Sequence, residues 1–122
     1  MKVTEVKIYV VDTGSFRPVI AEIITDEGLT GVGEGAVGFG VGCYAAAKMA
    51  EELAERFVVG KDPGEIQSIW NDFYYDTFWG KGAGAIFYAA ASALEHGLWD
   101  IKGKALGVPV YELLGGKQRE AG

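Results

Sequence analysis

The sequence predicts an α+β fold in which a three-stranded antiparallel meander is followed by a bundle of three to four helices. Apolar and polar residues alternate from Val3 to Val11, whereas from Ala45 onward the apolar residues recur at every third or fourth position. The first period is typical of a half-buried strand and the second of an amphipathic helix. Strands that all precede the helices favour a segregated α+β architecture over an alternating one.

The strand region contains three candidate strands. They are the alternating segment from Val3 to Val11, a β-rich run from Val19 to Thr25, and a short third strand from Leu29 to Glu34. Only Asp26, Glu27 and Gly28 separate the second strand from the third. Because so short a connection joins antiparallel neighbours, we predict a hairpin that the first strand extends into a meander.

The first two helices are predicted from their apolar faces. The first face contains Ala46, Met49, Ala50, Leu53 and Phe57. The second contains Ile66, Ile69, Trp70 and Phe73. Positions three and four apart lie on one side of a helix, so each set forms a stripe. We expect the second helix to begin with Asp62 as its N-cap, Pro63 in its first turn and Glu65 completing a capping box.

The longest predicted helix extends from Ala85 to Lys102 and is apolar nearly all round in its first half. A helix with this pattern is normally central to its fold, and its alanines permit close approach of neighbouring helices. Gly103 and Gly107 are stop signals, and Pro109 opens a last short helix that extends to Leu114.

Composition excludes several classes of partner. The chain has 17 acidic and 11 basic residues, a net charge of −6, and Cys43 as its one cysteine. Net negative charge opposes binding to phosphate backbones, so we expect no nucleic-acid partner. A single cysteine cannot form a disulfide framework and favours a cytoplasmic location. The apolar stretch from Ala83 to Leu94 is shorter than the roughly 20 residues that span a bilayer, so we expect no membrane association.

Glycine is the unusual residue of this composition, at 19 of 122 positions. Six residues, Gly33-Glu34-Gly35-Ala36-Val37-Gly38, match the G-x-G-x-x-G pattern of dinucleotide-binding turns. That turn requires a parallel strand that leads directly into a helix. Here the preceding strand belongs to a predicted hairpin and further glycines delay the helix, so a glycine-rich connecting loop is the favoured interpretation.

Side chains capable of chemistry are few. His96 and Asp100 are four residues apart and share a helix face, which suits either an acid–base pair or an ordinary surface hydrogen bond. Asp72 and Asp76 have the same spacing and are more simply explained as two exposed acids. Cys43 has no charged neighbour and is expected to be a small buried residue. The residues alone therefore indicate no complete active site.

The C-terminal half resembles a family signature. Residues 92–116 read SALEHGLWDIKGKALGVPVYELLGG. This is similar to A-L-W-D-I-x-G-K-x-x-G-x-P-V-Y-x-L-L-G-G, the signature of the mandelate racemase/muconate lactonizing enzyme family in the enolase superfamily. Gly97 stands where alanine is commoner. The motifs Gly31-Val32-Gly33-Glu34 and Asp62-Pro63 also resemble the family, so the likeness covers nearly the whole chain.

The resemblance implies that residues 1–116 are an N-terminal capping domain and that residues 117–122 begin a (β/α) barrel, the rest of which is absent from this chain. In this family the barrel carries three carboxylates that bind Mg²⁺ and the bases that remove a proton next to a carboxylate. We therefore expect Mg²⁺ in the full-length parent with ligands outside this chain. Within the chain we expect no cofactor, no metal ligand and no catalytic residue.

The resemblance also implies that two loops close over the substrate, Thr13 to Pro18 and Gly35 to Tyr44. Their candidate substrate-binding residues are Phe16, Arg17, Val37 and Phe39. Trp79 and Lys81, at another helix junction, are further candidates that could face the same cavity. An alternative interpretation is that Phe16 and Phe39 pack on the barrel rim while Arg17 is solvated.

The resemblance favours a sugar-acid dehydratase, which is a lyase, as the full-length parent. Alternatives are a racemase or epimerase, which would be an isomerase, a cycloisomerase of the same family, or a free-standing α+β binding or dimerisation module. The implied partners are a small carboxylate or sugar-acid substrate, the chain's own barrel domain and further copies of itself in a homo-oligomer. We expect the 122-residue chain by itself to be inactive.

Overall fold

In a computed structural model, residues 1–120 form a three-stranded sheet covered by helices, and these are the residues that the structure describes. The strands are β1 (Val3–Val10), β2 (Val19–Thr25) and β3 (Thr30–Gly35). The helices are α1 (Cys43–Leu53), a π-helical segment (Ala54–Val58), α2 (Ile66–Asp76), α3 (Ala85–Leu106) and α4 (Val110–Leu113). The predicted α+β class is confirmed.

The sheet is the predicted antiparallel meander, with strand order β1-β2-β3. β2 has the predicted bounds, and β3 begins and ends one residue later than predicted. Along β1, Val6 and Ile8 are half-buried while Glu5 and Lys7 are exposed, which confirms the predicted alternation. The turn before β3 ends at Gly28, whose φ of +83° is a conformation that glycine adopts without steric cost.

Helix α3 lies directly on β3, and the two backbones touch. Three alternate glycines of the strand face three small residues of the helix: Gly31 lies against Gly97, Gly33 against Ala93, and Gly35 against Ala89. A Cβ at Gly33 would meet the Ala93 carbonyl oxygen. We call this contact the glycine seam. The alanines of α3, which were expected to permit close approach of another helix, therefore also permit close approach of a strand.

Helix α1 begins at Cys43, two residues earlier than predicted, and its end widens into the π-helical segment. There the N–H of Val59 donates to the carbonyl of Ala54 at 2.9 Å, five residues back. The predicted apolar stripe faces the core, since Ala46, Ala50, Leu53 and Phe57 are buried and Met49 is half-buried. Cys43 is buried and free, as expected.

The start of α2 differs from the prediction. Asp62 Oδ1 accepts a hydrogen bond from the Gly64 N–H at 2.8 Å, and the Glu65 N–H donates to the Asp62 carbonyl at 3.1 Å. Residues 62–65 therefore form a turn, and the helix begins only at Ile66, without a side-chain cap. The predicted N-cap at Asp62 is wrong because its carboxylate satisfies that turn. The predicted apolar face is confirmed, with Ile66, Ile69 and Phe73 buried.

One main core joins the sheet to the helices. Its fully buried side chains include Ile23, Val58, Ile69, Phe73, Leu94, Leu98 and Ile101. α3 continues to Leu106, four residues beyond its predicted end, and stops at Gly107, whose φ is +70°. None of the helices formed by residues 1–120 is long and apolar enough to cross a membrane.

Candidate functional site

The segment between β1 and β2 folds into a tight turn held by its own side chains. Asp12 Oδ1 accepts the N–H of Gly14 at 2.8 Å. Thr13 Oγ1 donates to the Phe16 carbonyl at 2.8 Å and accepts the Phe16 N–H at 3.1 Å. These bonds fix the backbone from which the side chains of Phe16 and Arg17 project.

The loops after β1 and β3 contact each other. The Arg17 N–H donates to the Gly38 carbonyl at 2.8 Å, and the rings of Phe16 and Phe39 stack with centroids 5.5 Å apart. Gly38 is buried beneath this contact, where a Cβ would lie 3.2 Å from Phe16 Cδ2. We call residues 13–18 and 36–42 the loop pair.

The second loop is shorter than predicted. Gly35 is the last residue of β3 and is buried in the glycine seam, and Cys43 already belongs to α1. Neither Gly33 nor Gly35 therefore belongs to the loop, because both lie in β3 and the approach of α3 requires both.

The loop pair presents a cation beside exposed aromatic surface. Phe39 is 74% exposed, and the Arg17 side chain is 45% exposed with its Nε 3.6 Å from Asp12 Oδ2. A guanidinium forms two parallel hydrogen bonds to a carboxylate, which makes arginine the usual residue for recognising such a group. The loop pair can thus bind an anionic group against a flat apolar surface.

A groove of about 330 Å³ lies between the second loop and α3. It is lined by Glu34, Ala36, Val37, Ala85, Tyr88, Ala89, Ser92 and His96. Val37 is half-buried because it also packs against the small core cluster that contains Val19 and Cys43. Tyr88, Ser92 and His96 are four residues apart along α3, and this spacing is the sequence signal that could have identified the first two.

Trp79 and Lys81 do not line the groove beside the loop pair. Trp79 lines a groove of about 450 Å³ between α1, the π-helical segment and α3, whereas Val37 lines the groove beside the loop pair. The Lys81 ammonium lies 5.0 Å from the centroid of the Tyr75 ring. Phe16 and Arg17 of the first loop are thus brought together with Phe39 of the second loop, which also contains Val37. No hydrogen bond or ring contact within residues 1–120 joins Trp79 or Lys81 to them.

Asp100 is paired with a strand and a lysine rather than with His96. Its Oδ2 accepts the Val32 N–H of edge strand β3 at 2.9 Å and the Lys104 ammonium at 2.8 Å, and Lys104 also donates to the Thr30 carbonyl at 2.7 Å. Partial burial raises the pKa of the Asp100 carboxyl, but these two hydrogen bonds and the Lys104 charge outweigh it, so the pKa is lowered overall. Asp100 and Lys104 together therefore satisfy the Val32 N–H and the Thr30 carbonyl at the edge of the sheet.

Two kinds of site are not supported by the described residues. Among residues 1–120 no three His, Cys, Asp or Glu side chains are placed to hold a metal ion together, so this part of the chain does not fit Mg²⁺. Gly33 and Gly35 lie in an antiparallel strand, and the helix after them starts only at Cys43. The geometry of a dinucleotide-binding turn is therefore not met.

The comparisons with known proteins agree with this fold. The model of the mandelate racemase / muconate lactonizing enzyme N-terminal domain matches residues 3–115. D-galactonate dehydratase of Verminephrobacter eiseniae is 42% identical over 98% of this chain, which spans 29% of that relative's length.

Two solved structures are also similar. One, from Mesorhizobium loti, has a TM-score of 0.96 and 54% identity, and the match covers 98% of this chain and 32% of that one. A member of the enolase superfamily from Salmonella Typhimurium has a TM-score of 0.92 and 48% identity, and the match covers 98% of this chain and 30% of that one. The chain therefore belongs to the mandelate racemase/muconate lactonizing enzyme family, whose N-terminal domain it contains, and to the enolase superfamily.

Proposed function

We propose that this chain is the substrate-capping, specificity-determining domain of an Mg²⁺-dependent sugar-acid dehydratase that removes a proton next to a substrate carboxylate. The loop pair is the observation that carries the proposal, because at one end of the sheet it places the exposed Arg17 side chain next in sequence to the half-buried Phe16 ring, which stacks on the exposed ring of Phe39. The D-galactonate dehydratases among its relatives, 42% and 44% identical to it, support a sugar acid as the substrate class.

Each member of the loop pair has a proposed role. Arg17 pairs with an oxygen-rich anionic group of the substrate. Phe16 and Phe39 shield the reacting end from water, and Val37 forms the wall next to α3. Closing loops of this kind sequester a reaction and complete its site. Trp79 and Lys81 remain predicted substrate contacts, but Trp79 lines another groove and Lys81 lies over the Tyr75 ring, so neither has such a role in this proposal.

The remaining machinery would come from the barrel. In this proposal residues 1–116 are the cap and residues 117–122 lead into the barrel, although Ala121 and Gly122 lie outside the described residues. In this proposal the barrel supplies the ligands of Mg²⁺ and the catalytic bases, which is consistent with the lack of a three-ligand metal cluster among residues 1–120. A single free and buried cysteine, Cys43, supports a cytoplasmic enzyme. The net charge of −6 argues against nucleic acid as a partner.

A chimera tests the proposal. Residues 1–116 would replace the matching segment of the Verminephrobacter eiseniae D-galactonate dehydratase, and the product would be assayed as a 2-keto acid with semicarbazide. Loss of the C2 proton and the C3 hydroxyl gives an enol that becomes a 2-keto-3-deoxy acid, so dehydration has a specific readout. We expect the chimera to dehydrate D-galactonate or another sugar acid.

Two controls accompany the chimera. The 122-residue chain alone should release no keto acid, because it lacks the proposed barrel. A folded chimera that racemises or cycloisomerises its substrate without forming keto acid would contradict the dehydratase assignment and favour the alternative activities of the family. A folded chimera inactive on every acid tested, beside an active parent enzyme, would contradict the capping role.

A further inference from the structure

Two side chains of opposite charge face each other at the base of the loop between β1 and β2. The antiparallel pairing of the strands continues past their ends, because the Val11 N–H donates to the Pro18 carbonyl at 3.1 Å. The next opposing residues in this register are Asp12 and Arg17. Residues directly opposite each other in an antiparallel pair have Cβ atoms about 5 Å apart, so the hairpin itself brings the two side chains together.

The backbone of Arg17 is fixed, whereas its side chain is long and exposed. Its N–H donates to the Gly38 carbonyl at 2.8 Å across the loop pair. The next residue, Pro18, is buried, and a following proline restricts a residue to extended conformations. The guanidinium, by contrast, ends a side chain with several rotatable bonds. A ligand that binds it must immobilise that side chain unless another group already holds it.

Asp12 is placed to hold the guanidinium. One of its carboxylate oxygens, Oδ1, accepts the Gly14 N–H at 2.8 Å, which anchors the carboxylate to the turn. The other oxygen, Oδ2, lies 3.6 Å from Arg17 Nε. Because the carboxylate is anchored through Oδ1, it presents Oδ2 to the guanidinium in a fixed direction.

The contact leaves the terminal edge of the guanidinium available to a ligand. It engages Nε, whereas the terminal nitrogens Nη1 and Nη2 can still form paired hydrogen bonds to a second carboxylate. A guanidinium also keeps its charge when it is paired. The side chains of Asp12 and Arg17 are 67% and 45% exposed, so water screens the charge of the aspartate. The orientation that Asp12 imposes therefore outweighs the attraction that its charge cancels.

We propose that Asp12 is a positioning residue, which holds the Arg17 guanidinium through Nε so that its terminal nitrogens face the anionic group bound by the loop pair. This inference rests on the proposed function, because it takes Arg17 to contact the substrate. The opposite role, in which Asp12 weakens anion binding by neutralising the arginine, has the opposite effect on KM. The direction of the change in KM therefore separates the two roles.

Nitrogen-15 relaxation of the arginine Nε–H groups tests the orientation in the 122-residue chain, without any assay of activity. Asp12→Asn removes the charge but keeps an oxygen that can accept the Gly14 N–H, so the turn is preserved. We expect this variant to lower the order parameter of Arg17 Nε and to leave that of Arg56 unchanged. An Arg17 side chain that is equally mobile in the wild type and in Asp12→Asn would overturn the proposal.

Asp26→Asn is the matched control. Asp26 Oδ1 also accepts a backbone N–H at 2.8 Å, from Lys2, but it lies at the turn between β2 and β3, at the opposite end of the sheet. This variant removes the same charge from the chain and should leave Arg17 as ordered as in the wild type. A loss of order at Arg17 in both variants would mean that net charge, rather than the contact with Asp12, restrains the guanidinium.

Kinetics in the D-galactonate dehydratase chimera test what the orientation does. Asp12→Asn should raise KM for a sugar acid about threefold and leave kcat unchanged, which is within the effect of an exposed ion pair. Asp26→Asn should change neither constant. A KM that stays the same or falls in Asp12→Asn would overturn the positioning role.

A double-mutant cycle separates positioning from support of the turn. In a chimera that already carries Arg17→Gln, Asp12→Asn should have no further effect on KM, because the group that it positions is gone. A residue that only supports the turn would raise KM equally with or without the arginine, and that result would overturn the proposal. An inactive chimera would contradict the proposed function, and the order parameter of Arg17 would still decide whether Asp12 holds the guanidinium.

Discussion

The glycine seam and the loop pair are both rich in glycine, but for opposite physical reasons. In the seam, Gly31 and Gly33 are buried, and a Cβ at either would collide with the α3 backbone. In the loop pair, Gly14 and Gly40 have open space around them but φ values of +88° and +68°. Glycine is required at 31 and 33 because there is no space for a Cβ, and at 14 and 40 because the backbone has a positive φ.

This difference shows that the sequence pattern G-x-G does not by itself indicate a ligand-binding site. Gly33 and Gly35 match a nucleotide-binding motif and instead allow a helix to touch a strand. The comparison also distinguishes the glycine seam, which is closely packed, from the loop pair, which has few buried contacts. Local opening is expected to be easiest where buried contacts are few, which makes the loop pair the better candidate for movement around a ligand.

The largest predicted effect comes from filling the seam. Gly33→Ala should lower the free energy of unfolding by about 3 kcal/mol, because the Ala93 carbonyl and the Gly97 N–H leave no room for a methyl group and both belong to backbone. Urea denaturation would measure it. Gly40→Ala is the control and should cost only about 1–2 kcal/mol, the penalty of a positive φ. Equal losses in the two variants would remove the distinction between space and conformation.

A smaller effect is expected at the edge of the seam. Asp100→Asn should lower the free energy of unfolding by about 1 kcal/mol at neutral pH, since it weakens the bonds to Val32 and Lys104 at a partly exposed site. Because folding lowers the pKa of this carboxyl from its ordinary 3.8, its contribution is present above that pH and is lost as the pH falls through the folded-state pKa.

The difference between Asp100→Asn and the wild type should therefore shrink on acidification, as urea denaturation at pH 7 and near pH 3 would show. Asp76→Asn, which changes an exposed acid of α2, is the matched control and should have no comparable effect at either pH. A difference of the same size at both pH values would mean that charge at Asp100 does not stabilise the seam.

The smallest effect on stability is expected in the loop pair. Phe39→Ala should cost less than about 1 kcal/mol, because the ring is 74% exposed and loses mainly its stacking on Phe16. Thermal unfolding of the variant beside the wild type measures it. A loss as large as that of Gly33→Ala would show that the loop pair is a structural element rather than a surface free to bind.

Much of the fold could be predicted because its signals are local. The alternation in β1 and the apolar face of α2 depend on residues a few positions apart, and both were predicted correctly. Asp62 was misassigned because an aspartate can bond to a turn or to a helix start, and the sequence does not distinguish them. The π-helical segment Ala54–Val58 adds one residue to a helical turn and has no periodic signal of its own.

The site was less predictable because its contacts are distant in sequence. Asp100 bonds to the N–H of Val32, 68 residues earlier, and helix spacing directed attention to His96 instead. Trp79 was a further candidate that could face the same cavity as Val37, and within the described residues the two side chains line separate grooves. Phe16, Arg17 and Phe39 were grouped through the family resemblance, and their substrate role remains a prediction.

The most direct test of the capping role is the effect of an Arg17 substitution on the kinetics of the chimera in which residues 1–116 replace the matching segment of the D-galactonate dehydratase. We predict that Arg17→Gln lowers kcat/KM for a sugar acid about tenfold, mainly through KM, because it removes one charge-assisted contact with the substrate. Arg56→Gln, which changes an arginine of the other groove, should leave kcat/KM unchanged. Unchanged kinetics in Arg17→Gln, or equal losses in both variants, would contradict the assignment of the loop pair as the substrate cap.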